Sequence, residues 1–332
     1  MIETSPSTSI DIAQGESLRV KKRLFSGVQS SGTLHIGNYF GALRQWKDMQ
    51  EEFDCVFSIV DYHALTSVKD PATLLANTLN AFKDILALGI DPAKSIVFQQ
   101  SQVQEHPELA WILECVVPVA MLELGHAYKD KVAKGLDANA GLFNYPLLMA
   151  ADILLYDTDV VPVGEDQRQH IEYTREAAAK FNLAYGQTFK EPQERIMKEV
   201  AIVPGTDGKK MSKSYGNTIP LFGSKDDIAK AVMSIVTDSS GERPENVYAI
   251  HKLLHPEERL AQLYESNKGK YKALKEALIE DLEAFIAPMR QMRDSITDAD
   301  VVKVAKEGSD KARAIASIKM KEVRTKIGAS LA

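Results

Sequence analysis

The chain has 332 residues with 45% hydrophobic and 26% charged side chains, an ordinary balance for a folded protein and more chain than one hydrophobic core usually serves. The net charge of −6 argues against a protein that coats nucleic acid. Residues 1–215 carry 21 basic and 28 acidic side chains (−7) and residues 216–332 carry 19 and 18 (+1), so any basic patch belongs to the C-terminal part. No apolar run approaches the ~18 residues that a membrane span needs.

Residues 1–20 are polar and include Glu3, Asp11 and Glu16. Without a basic stretch followed by an apolar one, they read as a flexible leader and not as a secretory signal. Four short apolar runs then read as buried parallel strands: RLFSGV (23–28), CVFSIV (55–60), SIVFQ (95–99) and DVVPV (159–163). Between them, residues 36–53, 70–90 and 107–128 carry apolar side chains at helical spacing. Such alternation predicts an α/β fold, a Rossmann-like doubly wound parallel sheet with helices on both faces. Cys55 and Cys115 both sit in apolar runs and lack zinc spacing, so they read as small core residues of a reducing, cytoplasmic compartment. After Gly216 the strand signals fade, and residues 224–236, 256–267, 271–293 and 308–328 read as helices. The expected organisation is a leader (1–20), a catalytic domain (21–216) and a helical domain (217–308), with the last helix (309–330) packing back on the catalytic domain.

Several stretches could carry chemistry. SGVQSSGTLHIGNYFGALRQW (26–46) follows the first strand and opens a helix, with Gly27, Gly32, Gly37 and Gly41 where backbone must turn or admit a ligand. A phosphate there would meet free N–H groups, and His35 and Asn38 share one side of the first turn. The same stretch also reads as an ordinary turn with a capping Asn. GTDGKKMSKSYGNT (205–218) concentrates Lys209, Lys210, Lys213, Ser212 and Ser214 around one buried-type residue, Met211. Lys210 and Lys213 suit a phosphate that changes charge during a reaction, although most such runs are solvated loops. PVGEDQRQH (162–170) places Gly164, Glu165, Asp166 and Gln167 at the carboxyl end of the fourth strand, where open α/β sheets bind ligands. In YPLLMAADILLYDTD (145–159), Asp152 is a carboxylate among apolar neighbours. It costs several kcal/mol unless a ligand, water or a basic side chain pairs with it.

Together, in this order, these pieces resemble class I aminoacyl-tRNA synthetases. HIGN (35–38) is similar to that class's His-Ile-Gly-His signature, and KMSKS (210–214) matches its second signature letter for letter. The details resemble the bacterial type of tryptophanyl-tRNA synthetase over residues 23–216 and again in the closing KARAIA and EVRTKIG. Two departures stand out: Ser30 where that family usually has proline, and Asn38 where the wider class has its second histidine.

The resemblance implies activation of L-tryptophan by ATP to tryptophanyl-adenylate and its transfer to tRNA(Trp), by a cytoplasmic homodimer with no membrane contact. It implies that Gly37 leaves room for adenine while His35 and Asn38 assist on the ATP side. Gln29, Ser30 and Ser31 would line the α-phosphate region, with Gly164, Glu165, Asp166 and Ala201 around the rest of the nucleotide. Lys210, Met211, Ser212, Lys213 and Ser214 would hold the phosphates, joined by Lys131 from a lysine-rich loop. The tryptophan pocket would comprise Phe25, His63, Tyr145, Met149, Asp152, Val163 and Gln167. Magnesium would arrive with ATP, and no structural metal is implied. A single carboxylate in an apolar wall suits an indole N–H better than a phenol, which separates this reading from a tyrosyl enzyme. A catalytically silent paralogue that binds tRNA would share the fold, but the intact lysine–serine loop speaks against it. A nucleotidyltransferase that never meets tRNA is disfavoured by the extra helical domain. The apolar run AWILECVVPVAMLELG (110–125), read as one helix, needs burial on more than one side, as a dimer contact or a central core helix.

Overall fold

The computed structural model describes residues 21–29, 32–135, 138–164, 168–196, 203–237 and 243–330. Five parallel strands form one sheet in the order β3-β2-β1-β4-β5: β1 (Arg23–Val28), β2 (Asp54–Ile59), β3 (Ile96–Gln99), β4 (Val160–Val163) and β5 (Gln193–Ile196). The four expected strands are all present, and β5 is an addition at the edge. Helices α1 (Ile36–Asn38), α2 (Arg44–Glu52), α3 (Asp61–Ala64), α4 (Pro71–Ala87), α5 (Glu105–Glu114), α6 (Val119–Leu122), α7 (His126–Ala133), α8 (Ala140–Leu154) and α9 (Arg168–Tyr185) accompany the strands. Then follow α10 (Lys225–Met233), α11 (Glu245–Leu254), α12 (Glu257–Ser266), α13 (Tyr271–Ser295) and α14 (Asp298–Lys326).

Local chemistry sets these boundaries. Asp70 caps α4 by accepting from the Thr73 N–H (2.8 Å), with Pro71 at the first helical position. Ser224 with Asp227, and Thr297 with Asp300, close reciprocal caps on α10 and α14. Along the strands successive side chains go to opposite faces. Phe25, Val56 and Phe98 join a core with α5, α8, α9 and α14, whereas Leu24, Cys55, Phe57 and Val97 join one with α2 and α4. A third core unites Ile36, Phe40, Met211, Ile219 and Leu221 with α10, α11 and α13.

Three sequence expectations are corrected. Residues 107–128 are not one helix: Cys115 caps the end of α5, and Pro118, which cannot donate, caps the start of α6. Cys115 is consequently exposed, while Cys55 is the buried cysteine expected. The last helix begins at Asp298, ten residues before Gly308, so the expected boundary at 308/309 falls inside a continuous 29-residue helix.

Gly308 is the reason that helix can lie where it does. A Cβ there would fall 1.8 Å from the Val97 carbonyl oxygen of β3. Farther along, Ala312, Ala316, Met320 and Val323 enter the core of the sheet's covered face. Lys319 binds Asp157 (2.9 Å) and the Thr188 carbonyl (3.2 Å), pinning the turn between α8 and β4 in which Asp157 has a left-handed φ of 48°. Gly308→Ala forces helix and strand apart and is expected to destabilise the protein by about 1–3 kcal/mol or more. A thermal midpoint equal to wild type would show that helix and strand are not in such close contact.

Candidate active site

Strand order reverses between β1 and β4, and a cavity of about 460 Å³ opens at that switch point. Phe25, Ser26, Gly27 and Gln29 line it from β1 and its exit, Val161, Pro162, Val163 and Gly164 from β4 and its exit, and Tyr145, Met149, Asp152 and Ile153 from α8. His63 and Thr66 close another side. Eight of the expected site residues therefore meet here: Phe25, Gln29, His63, Tyr145, Met149, Asp152, Val163 and Gly164.

Asp152 sits in the last turn of α8 at 1% exposure, and it is not alone. Gln100 Nε2 donates to both carboxylate oxygens (2.7 and 2.9 Å), His106 Nδ1 donates to Oδ1 (2.5 Å) and His63 Nε2 to Oδ2 (2.9 Å). Behind them, His106 Nε2 is hydrogen-bonded to the Tyr156 hydroxyl (2.8 Å). Burial pushes the Asp152 carboxyl upward, but the charge and hydrogen bonds of His106 and His63 outweigh it and bring it down from 3.8 to about 2. Of the partners that the sequence left open, side chains of the protein itself pair with this carboxylate. These four contacts occupy the two oxygens before any ligand arrives. The partners come from α3, the turn after β3, and α5, far away in sequence.

Tyr145 is held in turn by His170, whose Nε2 lies 3.1 Å from the tyrosine hydroxyl. Gln100, His106, Tyr156 and His170 were missed as site residues. Of these, His106 and His170 carried the one available signal, a histidine beside a helix start. The cavity also continues into a groove of about 730 Å³ that shares His63, Thr66 and Tyr145 and is walled by Trp111, Glu114, Asn144 and Leu148.

The second half of the site is a knot of backbone. The Ile36 N–H donates to the Ile219 carbonyl and the Leu221 N–H to the Leu34 carbonyl, both at 3.0 Å. The stretch 34–36 and the exit of the lysine–serine loop are thereby paired. Within the loop, Asn217 is 2% exposed and accepts from the Ser212 N–H (2.8 Å). Its amide donates to the Lys210 carbonyl (3.2 Å) and to Asp207 (2.6 Å). Asn217 therefore shapes the turn that carries Lys210 and Lys213, another role that sequence reading did not assign. Met211, 5% exposed, roots the loop in the third core. Lys213 reaches across to donate to the Gly32 carbonyl (3.2 Å), and partial burial lowers its pKa.

His35 and Asn38 do share one turn, as expected: the Asn38 Oδ1 accepts from the His35 N–H (3.1 Å). The His35 ring is 6% exposed with Nδ1 buried and unpaired. Burial, then the neighbouring Lys213 charge, lowers it to about 4, so the ring is neutral near pH 7. Gly37 lies against it, where a Cβ would stand 2.9 Å from His35 Nδ1. Ser30, Ser31, Glu165, Asp166, Gln167 and Ala201 lie outside the described residues, as do the leader and the side chains of Lys131 and Ser214. Among the described residues no group of three or more His, Cys, Asp or Glu could hold a metal ion, and no helix is long and apolar enough to cross a membrane.

Residues 18–294 match the family model of the class I tRNA synthetases for tryptophan and tyrosine. The chain is 48% identical to a tryptophan–tRNA ligase of Fusobacterium nucleatum, over 92% of this chain and 98% of that one. A tryptophan–tRNA ligase of Rhodopirellula baltica is 45% identical over 92% and 99%. A crystal structure of the Campylobacter jejuni tryptophanyl-tRNA synthetase with ADP and tryptophan superposes with a TM-score of 0.88 at 45% identity, covering 92% of this chain and 99% of that chain. A tyrosyl-tRNA synthetase of Archaeoglobus fulgidus, at 19% identity and TM-score 0.62, shares the fold.

Asp152→Ala strands two buried donors, Gln100 and His106, and the half-buried His63 around an empty carboxylate position. It is expected to destabilise the protein by about 3–5 kcal/mol, the scale of breaking a buried pair from one side. Because its pKa is lower in the folded chain, this stabilisation is complete above the unfolded value of 3.8 and is lost as pH falls through about 2. Urea unfolding at pH 7 measures the difference, and a loss below about 1 kcal/mol would mean the network does not anchor this wall of the cavity.

Proposed function

Because the chain belongs to the class I tRNA synthetases for tryptophan and tyrosine, we propose that the switch-point cavity holds the amino acid and the lysine–serine loop holds the phosphates of ATP. The reaction is ATP-dependent activation of L-tryptophan followed by transfer to tRNA(Trp), in the cytoplasm. The observation that carries this reading is the backbone pairing of residues 34–36 with 219–221. It supports the reading because it ties the lysine–serine loop to the stretch that follows Gln29, a residue of the cavity wall, and the same cavity is lined by a fully buried, ionised carboxylate.

In the first step a tryptophan carboxylate oxygen bonds to the α-phosphorus of ATP, and the bond from that phosphorus to the bridging oxygen breaks. Pyrophosphate leaves with the electron pair. Lys210 and Lys213 face the leaving group as its charge grows, so they favour the transition state over the ground state. Magnesium travels on the ATP phosphates and spreads their charge, without a carboxylate cage of its own. Gln29, Ser30 and Ser31 meet the α-phosphate region, Gly164, Glu165, Asp166 and Ala201 the rest of the nucleotide, and Lys131 and Ser214 add to the phosphate contacts. Neutral His35 offers its buried Nδ1 as an acceptor beside Gly37, where adenine fits. In the second step the terminal ribose hydroxyl of tRNA attacks the adenylate carbonyl and AMP departs. The helical region after residue 217 supplies the tRNA contact.

The indole N–H of tryptophan reaches Asp152 by taking the place of one resident donor. His63 is that donor: its side chain is 13% exposed, whereas those of His106 and Gln100 are fully buried. Tyr145, Met149, Phe25 and Val163 supply the apolar walls, and Gln167 faces the polar end of the substrate. A second copy of the chain covers the neighbouring groove, where Trp111 is 67% exposed; Val119 and Leu124, farther along the chain, are 61% and 53% exposed.

Pyrophosphate exchange with all twenty amino acids tests the reaction, and turnover with any amino acid other than tryptophan as the best substrate would end this reading. Lys213→Ala is expected to slow adenylate formation by roughly 10²-fold while tryptophan affinity measured without ATP barely moves. A collapse of tryptophan affinity at an unchanged activation rate would reassign the loop to the amino acid pocket. Trp111→Glu is expected to convert a dimer into monomers by light scattering at micromolar concentration, and a wild-type protein that is monomeric and fully active would remove the dimer.

A further inference from the structure

Asp152 has two carboxylate oxygens, and they are held differently. Gln100 bridges both, but His106 Nδ1 donates to Oδ1 alone (2.5 Å) and His63 Nε2 to Oδ2 alone (2.9 Å). The His106 ring is fully buried, and so is Tyr156, whose hydroxyl lies 2.8 Å from His106 Nε2. Tyr156 follows Asp152 by four residues, just past α8, and its carbonyl accepts from Arg23 Nη1 (3.0 Å). Its ring stacks on that of Phe25, a wall of the cavity, and tilts against Phe98, with centroids 5.7 Å apart in both cases. Burial, then the charge of Asp152, pushes its pKa well up, so the hydroxyl keeps its proton. Among the described residues that hydroxyl has no hydrogen-bond partner besides His106. Phenylalanine would fill the same space without the cost of burying an O–H group, so the hydroxyl is there for the bond it makes.

We propose that Tyr156 and His106 are a positioning pair for tryptophan selectivity: the Tyr156 hydroxyl holds the His106 ring, the ring holds Oδ1 of Asp152, and Oδ2 is the oxygen offered to the indole N–H. This rests on the reading of the switch-point cavity as the tryptophan site. A neutral imidazole carries one proton, and a hydroxyl that donates to Nε2 leaves that proton on Nδ1, facing the carboxylate. A protonated imidazole carries two; the hydroxyl then accepts from Nε2 while Nδ1 still faces Asp152. In either state the Nδ1–H stays on Oδ1. When the indole takes the place of His63, the carboxylate rests on Gln100 and His106 alone. The Gln100 amide spans both oxygens and lets the group turn about its Cβ–Cγ bond; the second donor on Oδ1 fixes its plane. Neither His106 nor Tyr156 lines the cavity, so both act on the ligand through Asp152.

The test uses the full chain without ATP and two ligands, tryptophan and benzothienylalanine, in which sulfur replaces the indole N–H. Wild type should prefer tryptophan. Tyr156→Phe keeps the ring and its stacking and removes only the hydroxyl. Its tryptophan affinity, measured by equilibrium dialysis, should fall roughly three- to tenfold, the scale of one hydrogen bond. Its affinity for benzothienylalanine should stay at wild type, which a general loosening of the pocket would not allow. His106→Asn keeps an amide that can donate to Oδ1 but no longer reaches Tyr156. It should show the same selective loss, and adding Tyr156→Phe to it should cost nothing further. An equal loss for both ligands, an unchanged tryptophan affinity in Tyr156→Phe, or a second loss in the His106→Asn background overturns the pair. Should Tyr156→Phe fail to fold, His106→Asn carries the same comparison of ligands. A wild-type protein that binds both ligands equally would overturn the tryptophan reading of the cavity and the pair with it, whereas a wild-type preference that survives in both variants overturns the pair alone.

Discussion

Two backbone hydrogen bonds, from Ile36 to Ile219 and from Leu221 to Leu34, decide where the reactive groups of this molecule can be. They join the glycine-rich exit of the first strand to a loop almost two hundred residues later. Side chains alone would hold such a junction loosely; paired N–H and C=O groups fix both distance and direction. Ile36, Met211, Ile219 and Leu221 are all buried at this seam, so water is excluded from the bonds that define it. His35 and Gly37 on one side and Lys210, Ser212 and Lys213 on the other are placed by a common tether, not by separate folding events.

The cavity at the switch point follows a different logic. A parallel sheet directs the carboxyl ends of β1 and β4 outward at the place where the order reverses, and that geometry creates the cavity without any special residue. Selectivity is then added from elsewhere. Asp152 comes from α8, and its partners come from α3, the turn after β3, and α5. A carboxylate so surrounded stays ionised despite full burial, and an ionised carboxylate only accepts hydrogen bonds. Its oxygens are taken by resident donors, and the most accessible of these, His63, also borders the groove next door.

How much of this was legible in the chain depended on locality. The strands of 23–28, 55–60, 95–99 and 159–163 were readable because both faces of each are covered, leaving short, nearly continuous apolar runs. β5 was not, since Gln193, Glu194 and Arg195 occupy an edge with one wet side and look like loop. Gly308 read as a helix boundary because glycine usually breaks helices, whereas here it permits contact with the Val97 carbonyl. Pro118 was the visible reason to divide residues 107–128, but the surrounding apolar residues masked it. In the site, Lys210, Ser212 and Lys213 stood out as a dense local run, and Asp152 by its apolar neighbours. Gln100, His106, Tyr156 and Asn217 did not, because what they do depends on partners that no window of sequence brings near, or, for Asn217, on a turn whose shape letters do not show.

Helix α14 covers the strands from the far end of the chain. Ala312, Ala316, Met320 and Val323 complete a core begun by Phe25, Val56 and Phe98, residues translated some 200 to 300 positions earlier. During synthesis the sheet therefore emerges from the ribosome with part of one apolar face bare, and it stays so until the last helix is made. Phe25, Ile153, Val161 and Val163 of the cavity wall belong to that core, so this wall has no finished platform before then. Until residues 312–323 have emerged, the growing chain carries an apolar surface that must be sheltered from its neighbours.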